Sequence, residues 1–158
     1  MEKEYNISIN ITPKAFEGLA RQGMLCHQGI CELCDDALAA TLPHEKARVC
    51  VALAPDADNN HLNIAVADWG CRMELAALTN ALQLGSAPLS NDRLNEHGYG
   101  LNNALACLSG GTGDWCIYTR SQPGPYFKVS GLFDLNMTVK MTDTIDLPEG
   151  LNPPWPDP

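Results

Sequence analysis

Ile7, Ile9 and Ile11 alternate with polar partners, the period of a half-buried strand, and Thr12-Pro13 then supplies an N-cap with proline at the first helical position. The pattern predicts a short strand followed by a helix over about residues 13–22. From about 26 to 41, apolar residues at 26, 30, 33 and 37 recur at spacings of three and four, the signature of a helix, which ends before Pro43. Ala47 to Leu53 and Leu62 to Ala67 read as strands. The turn-forming run Pro55-Asp-Ala-Asp-Asn-Asn60 between them predicts an antiparallel hairpin, whose second strand ends in Asp68-Trp-Gly70.

Glu74 to Leu84 reads as a helix, and the polar, irregular stretch from Gly85 to His97 as a functional loop. Helix resumes over Leu101 to Leu108 and stops at Gly110-Gly-Thr-Gly113. Trp115 to Thr119, Phe127 to Phe133 and Met137 to Met141 read as three further strands. The order lacks regular β-α-β alternation. It predicts an α/β sandwich of two layers, a mixed, largely antiparallel sheet with helices on one face. Five prolines fall between Pro148 and Pro158, so residues 147–158 are expected to be an extended tail or linker after a single domain over 1–146.

The 158 residues suffice for one ordinary core. A hydrophobic share of 45% with 18% charged residues excludes wholesale disorder. The net charge of −9 repels phosphate backbones, so direct nucleic-acid contact is not expected. No apolar run resembles a membrane span or the core of an export signal, which predicts a protein that is neither exported nor membrane-bound. Seven cysteines, an odd number lying mostly in apolar or helical runs, fit reduced thiols in the cytoplasm.

Three segments carry candidate chemistry. Glu32, Asp35 and Asp36 lie at i, i+3 and i+4, a spacing at which like charges weaken a helix unless a cation relieves them. Magnesium suits one or two carboxylates with water and phosphate oxygens; the same stripe also suits a solvated face. Asp68-Trp69-Gly70-Cys71-Arg72-Met73 follows a strand directly, where Asp can accept a hydrogen bond and Gly lets backbone approach a ligand, or simply makes a turn. Asn95-Glu-His-Gly98-Tyr-Gly100-Leu101 sets two glycines before a helix, where free N–H groups can face an anion. It lacks the third glycine of a dinucleotide fingerprint and the Gly-Lys-Ser/Thr ending of a phosphate loop. Cys26, His27, Cys31 and Cys34 invite a zinc reading, but Cys31-x-x-Cys34 lies within a helix and no second pair follows at ribbon spacing, so buried thiols are expected. His44 and His61 are expected in solvated turns, and Trp69 and Trp115 as packing residues.

In order and spacing, Glu32-Leu-Cys-Asp-Asp36-Ala37, Asp68-x-Gly70-x-x-Met73 and Glu96-His-Gly98-x-Gly100-Leu101 resemble the three motifs of the GHKL ATPase superfamily, whose ATP site is the Bergerat fold. The resemblance runs from about Ile7 to Gly131, and Leu82-Gln-Leu-Gly85-Ser86 stands as the loop between the second and third motifs. It is most similar to the MORC, MutL and heat-shock-chaperone branch and bacterial relatives, and Gly98-Tyr-Gly100-Leu101 also looks like the histidine kinases and mitochondrial dehydrogenase kinases.

The resemblance implies roles. Glu32 would orient and deprotonate the water that attacks the γ-phosphate. Asp36 would hold Mg2+. Asp68 would accept the adenine amino proton, with Thr119 assisting through water, Gly70 giving room and Met73 lying against the base. His97, Gly98, Tyr99, Gly100 and Leu101 would form the third motif, the glycines and Leu101 offering N–H groups to phosphates. Four positions depart from the usual pattern: Asp36 stands in place of Asn, Arg72 in place of a glycine, Asn95 in place of the glycine that opens the third motif, and His97 in place of lysine or an aromatic residue. The implied activity is slow Mg-dependent ATP hydrolysis that drives a conformational or dimerisation switch, with a homodimer or a fused or separate transducer domain as partner. A small stand-alone protein kinase and a catalytically inactive interaction domain are the alternatives.

Overall fold

The computed structural model describes residues 13–58, 60–84, 99–120, 123–132 and 137–151. Along them run α1 (Pro13–Ala20), α2 (Cys26–Ala39), β1 (Val49–Pro55), β2 (Leu62–Asp68), α3 (Leu75–Leu82), α4 (Gly100–Leu108), β3 (Cys116–Thr119), β4 (Tyr126–Ser130) and β5 (Lys140–Thr142). The expected strand at Ile7 to Ile11, the loop after Gly85 and residues 152–158 lie outside the described residues.

The core is built on α4. Ala104 and Ala106 are sealed from solvent, and Leu105 and Ala106 pack with Phe16 of α1, flanked by Leu19, Leu82, Leu101, Trp115 and Ile117. Small residues let the helices approach: a Cβ on Gly29 of α2 would meet the Leu108 side chain at 3.1 Å. The turn after α4 uses glycine where the backbone demands it, with Gly111 at φ 75° beside Glu17 and Ala20.

β1 and β2 form the expected hairpin, antiparallel from Val49↔Asp68 to Pro55↔Leu62. Its turn is closed by Asp56, whose carboxylate accepts from the Asn60 N–H at 2.9 Å and meets His61 Nδ1 at 3.0 Å. Ala54 and Ala67 are buried, whereas Val51, Leu53 and Leu62 on the opposite face are exposed. β3, β4 and β5 make an antiparallel meander in the order β3-β4-β5. The fold is therefore mixed α/β, with four helices and two small antiparallel sheets among the described residues. The strands were expected in one sheet. Instead, the link between β3 and the chain leaving β2 is a side-chain clamp, in which the Met73 N–H donates to Thr119 Oγ1 at 3.1 Å and the Thr119 hydroxyl donates to the Met73 carbonyl at 3.4 Å.

The chain stays against this body to the end of the described residues, since Leu151 is buried and a Cβ on Gly150 would lie 3.2 Å from Ala54 Cβ. Among the described residues no helix is long and apolar enough to cross a membrane. All seven cysteines are free. The expectation of buried helical thiols fails for Cys26 and Cys31, which are exposed on α2, because the most buried positions of that helix are the small residues Gly29 and Ala37. His44 and His61 are both exposed in turns, as expected, and Trp69 lies under the Arg48 guanidinium, 4.5 Å from its ring centre.

Candidate functional site

On α2, Asp35 faces solvent while Glu32 and Asp36 are half-buried. Both reach the start of α4. Gly100 is the first residue of that helix, and a Cβ there would lie 2.8 Å from Glu32 Oε2 and 4.0 Å from Asp36 Oδ1. The missing side chain leaves room for the Glu32 carboxylate beside the helix start. The first intrahelical bond of α4 runs from the Asn103 N–H to the Tyr99 carbonyl at 2.9 Å. The N–H groups of Gly100, Leu101 and Asn102 precede it and have no acceptor within the helix. The positive end of the α4 dipole thus lies beside the acidic pair.

Asp36 is the strained member of that pair. Its Oδ2 is buried with no hydrogen-bond partner. Burial, reinforced by Glu32 and then by Asp35, pushes its carboxyl up to about 6. A carboxylate so placed is relieved by a proton or by a cation. Among the described residues no cluster of three or more His, Cys, Asp or Glu side chains is gathered to hold a metal. Asp36 would supply one carboxylate oxygen, which fits an ion such as Mg2+ that takes its other ligands from water and phosphate.

The second part of the site forms where β2 ends. Asp68 Oδ1 accepts from the Gly70 N–H at 2.8 Å, an Asx turn that redirects the chain. Gly70 then backs onto the end of α2: a Cβ would lie 2.5 Å from the Ala40 carbonyl oxygen, which also accepts from the Cys71 N–H. The need for glycine here is met by packing against Ala40, in addition to any room it gives a ligand. Three residues on, the Met73–Thr119 clamp fixes the loop against β3.

One cavity of about 950 Å3 runs past Asp36, Asp68, Gly70, Met73, Gly100, Leu101 and Thr119. Arg72 lines it as well. Glu32 borders a separate cavity of about 320 Å3, together with Asn103. Tyr99 caps α4, is exposed, and lines neither cavity. His97 and Gly98, like Asn95, lie outside the described residues.

Sequence reasoning missed a polar cluster at the meander, whose residues Tyr118, Lys128 and Asp146 also line the larger cavity. Lys128 Nζ lies 3.7 Å from Asp146 Oδ2 and 5.1 Å from the Tyr118 ring centre, and the Tyr118 hydroxyl donates to the Asp146 carbonyl at 3.2 Å. The hydrogen bond to Tyr118 holds the Lys128 ammonium above its ordinary range. The three residues are brought together by pairing of Tyr118 with Lys128 across strands, which no local pattern announces.

No family model matches the chain, and no curated protein matches it.

Proposed function

We propose that the chain is an ATP-binding domain of GHKL type that hydrolyses ATP slowly with Mg2+ and acts as a nucleotide-driven conformational or dimerisation switch. The observation that carries this reading is the single cavity on which Asp36, Asp68, Gly70, Met73, Gly100, Leu101 and Thr119 meet, with Glu32 pressed against Gly100. These residues come from segments far apart in sequence, and chain proximity alone does not gather them.

Adenine would lie at the Asp68 end. Asp68 keeps an acceptor oxygen for the exocyclic amino group after bonding the Gly70 N–H, and an acceptor there favours adenine over guanine. Met73 lies against the base, and Thr119, which already bonds the Met73 backbone, assists through water. The phosphates would approach the start of α4, where Gly100 and Leu101 offer N–H groups with the favourable end of the dipole. Asp36 would hold Mg2+, which would supply charge neutralisation for the phosphates. Glu32 orients the attacking water and takes up its proton as the water oxygen bonds the γ-phosphorus and the bond to the β–γ bridging oxygen breaks, with ADP leaving. In this reading the two sheets are portions of one layer, joined at the Met73–Thr119 clamp, and the helices make the other layer. The seven thiols suit a reducing, cytoplasmic setting.

Glu32→Ala tests the chemical assignment. It is expected to reduce phosphate release at least about 100-fold, the scale of a lost general base, while ATP affinity stays within about threefold. Parallel loss of binding would make Glu32 a structural residue. Radiolabel appearing on a partner protein in place of free phosphate would favour the kinase alternative.

A further inference from the structure

Among the described residues three cations line the larger cavity, and two of them are engaged. Arg120 is buried, lies over the Tyr126 ring at 4.6 Å and donates to the Gly124 carbonyl at 3.5 Å. Lys128 lies over Tyr118 and meets Asp146 at 3.7 Å. Arg72 is different: it is exposed, and among the described residues its guanidinium has no ion pair, ring contact or hydrogen bond. Carboxylates are not scarce, since the chain holds 19 acidic residues against 10 Lys and Arg, and Asp36 and Asp68 line the same cavity. The backbone around Arg72 is nonetheless held on both sides. The Cys71 N–H donates to the Ala40 carbonyl at the end of α2, and the Met73 N–H and carbonyl both bond the Thr119 hydroxyl. A fixed stem thus carries an unengaged cation on the cavity wall, and its planar fork of donors matches the oxygens of a phosphate.

We propose that Arg72 grips the α-phosphate of the bound nucleotide, the phosphate nearest the base. The inference rests on the reading of this cavity as an adenine-nucleotide site. Arg72 is next to Met73, which that reading sets against the base, and four residues after Asp68, which reads the amino group. The terminal phosphates go to the start of α4 and to Asp36 on α2, in other segments of the chain. The phosphate left for a cation on the base-reading loop is the one attached to the ribose. It is common to AMP, ADP and ATP and absent from adenosine. Arg72 therefore supplies a charge contact that needs no metal and is the same however many phosphates follow the first.

The experiment titrates the full chain and Arg72→Gln, which keeps a polar side chain and removes the charge, with adenosine, AMP, ADP and ATP in a calorimeter. Magnesium is present throughout, and melting temperature is read for both proteins. In the parent, AMP is expected to bind about 10-fold more tightly than adenosine. Arg72→Gln is expected to weaken AMP, ADP and ATP by one common factor of about 10 and to leave adenosine within about twofold. The melting temperature is expected to stay as in the parent, because the side chain is exposed. AMP that binds no more tightly than adenosine in the parent overturns the proposal, as do affinities that Arg72→Gln leaves unchanged. A loss that grows from AMP to ATP also overturns it, because a long-range field or a grip on the terminal phosphates scales in that way. An equal loss for adenosine makes Arg72 part of the base site or of the loop and overturns it too. If the parent binds neither ADP nor ATP, the reading of the cavity as a nucleotide site has failed, and the parent titrations alone reveal it.

Discussion

Asp36 sits at the point where the energetic cost of the site is concentrated. Its carboxyl titrates near 6 because it is partly withdrawn from water beside Glu32 and Asp35. The unfolded chain titrates it near about 3.9, so folding favours the protonated form. The stabilising contribution is complete below about pH 4 and is lost as pH rises through about 6. In nucleotide-free protein, Asp36→Asn is therefore expected to raise stability by about 1 kcal/mol at pH 7.5 and to leave it almost unchanged at about pH 3, below the value of the unfolded chain. Thermal melts of both proteins at the two pH values check this, and an equal shift at both would contradict it. The same substitution places at position 36 the amide usual in the resembled superfamily. Mg-ATP affinity is expected to be kept or improved, while complete loss would mean that the carboxylate itself is required.

Two glycines make the clearest contrast between elements. The neighbour of Gly70 is backbone at the end of α2, which cannot move without disturbing the helix, whereas the neighbour of Gly100 is the far end of the Glu32 side chain. Gly70→Ala is therefore expected to cost about 2 kcal/mol or more of stability. Gly100→Ala is expected to cost under about 1 kcal/mol, yet to lower ATP turnover more than 10-fold by displacing the Glu32 carboxylate. Urea unfolding and phosphate release separate the two effects; a severe stability loss in Gly100→Ala would show that Glu32 is held rigidly there. The elements themselves were largely legible. Apolar spacing found α2 and α4, the Pro55 to Asn60 run marked the β1–β2 turn, and glycines marked the end of α4. Local pattern does not determine how strands assort between sheets, because β3 meets the segment after β2 through Thr119 and a backbone amide. The approach of Gly100 to Glu32 was also invisible to spacing, since the residues lie on different helices; only the order of three motifs pointed to it.

At the scale of the whole molecule, the proposed function asks a chain of net charge −9 to admit a polyanion. Long-range repulsion opposes this, so favourable local groups must outweigh it: the first turn of α4, Arg72 on the cavity wall, and a cation at Asp36. Nucleotide affinity is accordingly expected to depend strongly on Mg2+, and base selectivity to reside in Asp68, which lines the same cavity. The measurement that tests the account most directly is calorimetric titration of the purified chain with ATP, ADP and GTP, each with and without magnesium. The account predicts saturable binding of both adenine nucleotides, strengthened by magnesium for ATP, with GTP bound at least about 10-fold more weakly. Equal binding of GTP would contradict the role of Asp68, and no heat of binding from any nucleotide at millimolar concentration would contradict the nucleotide site itself.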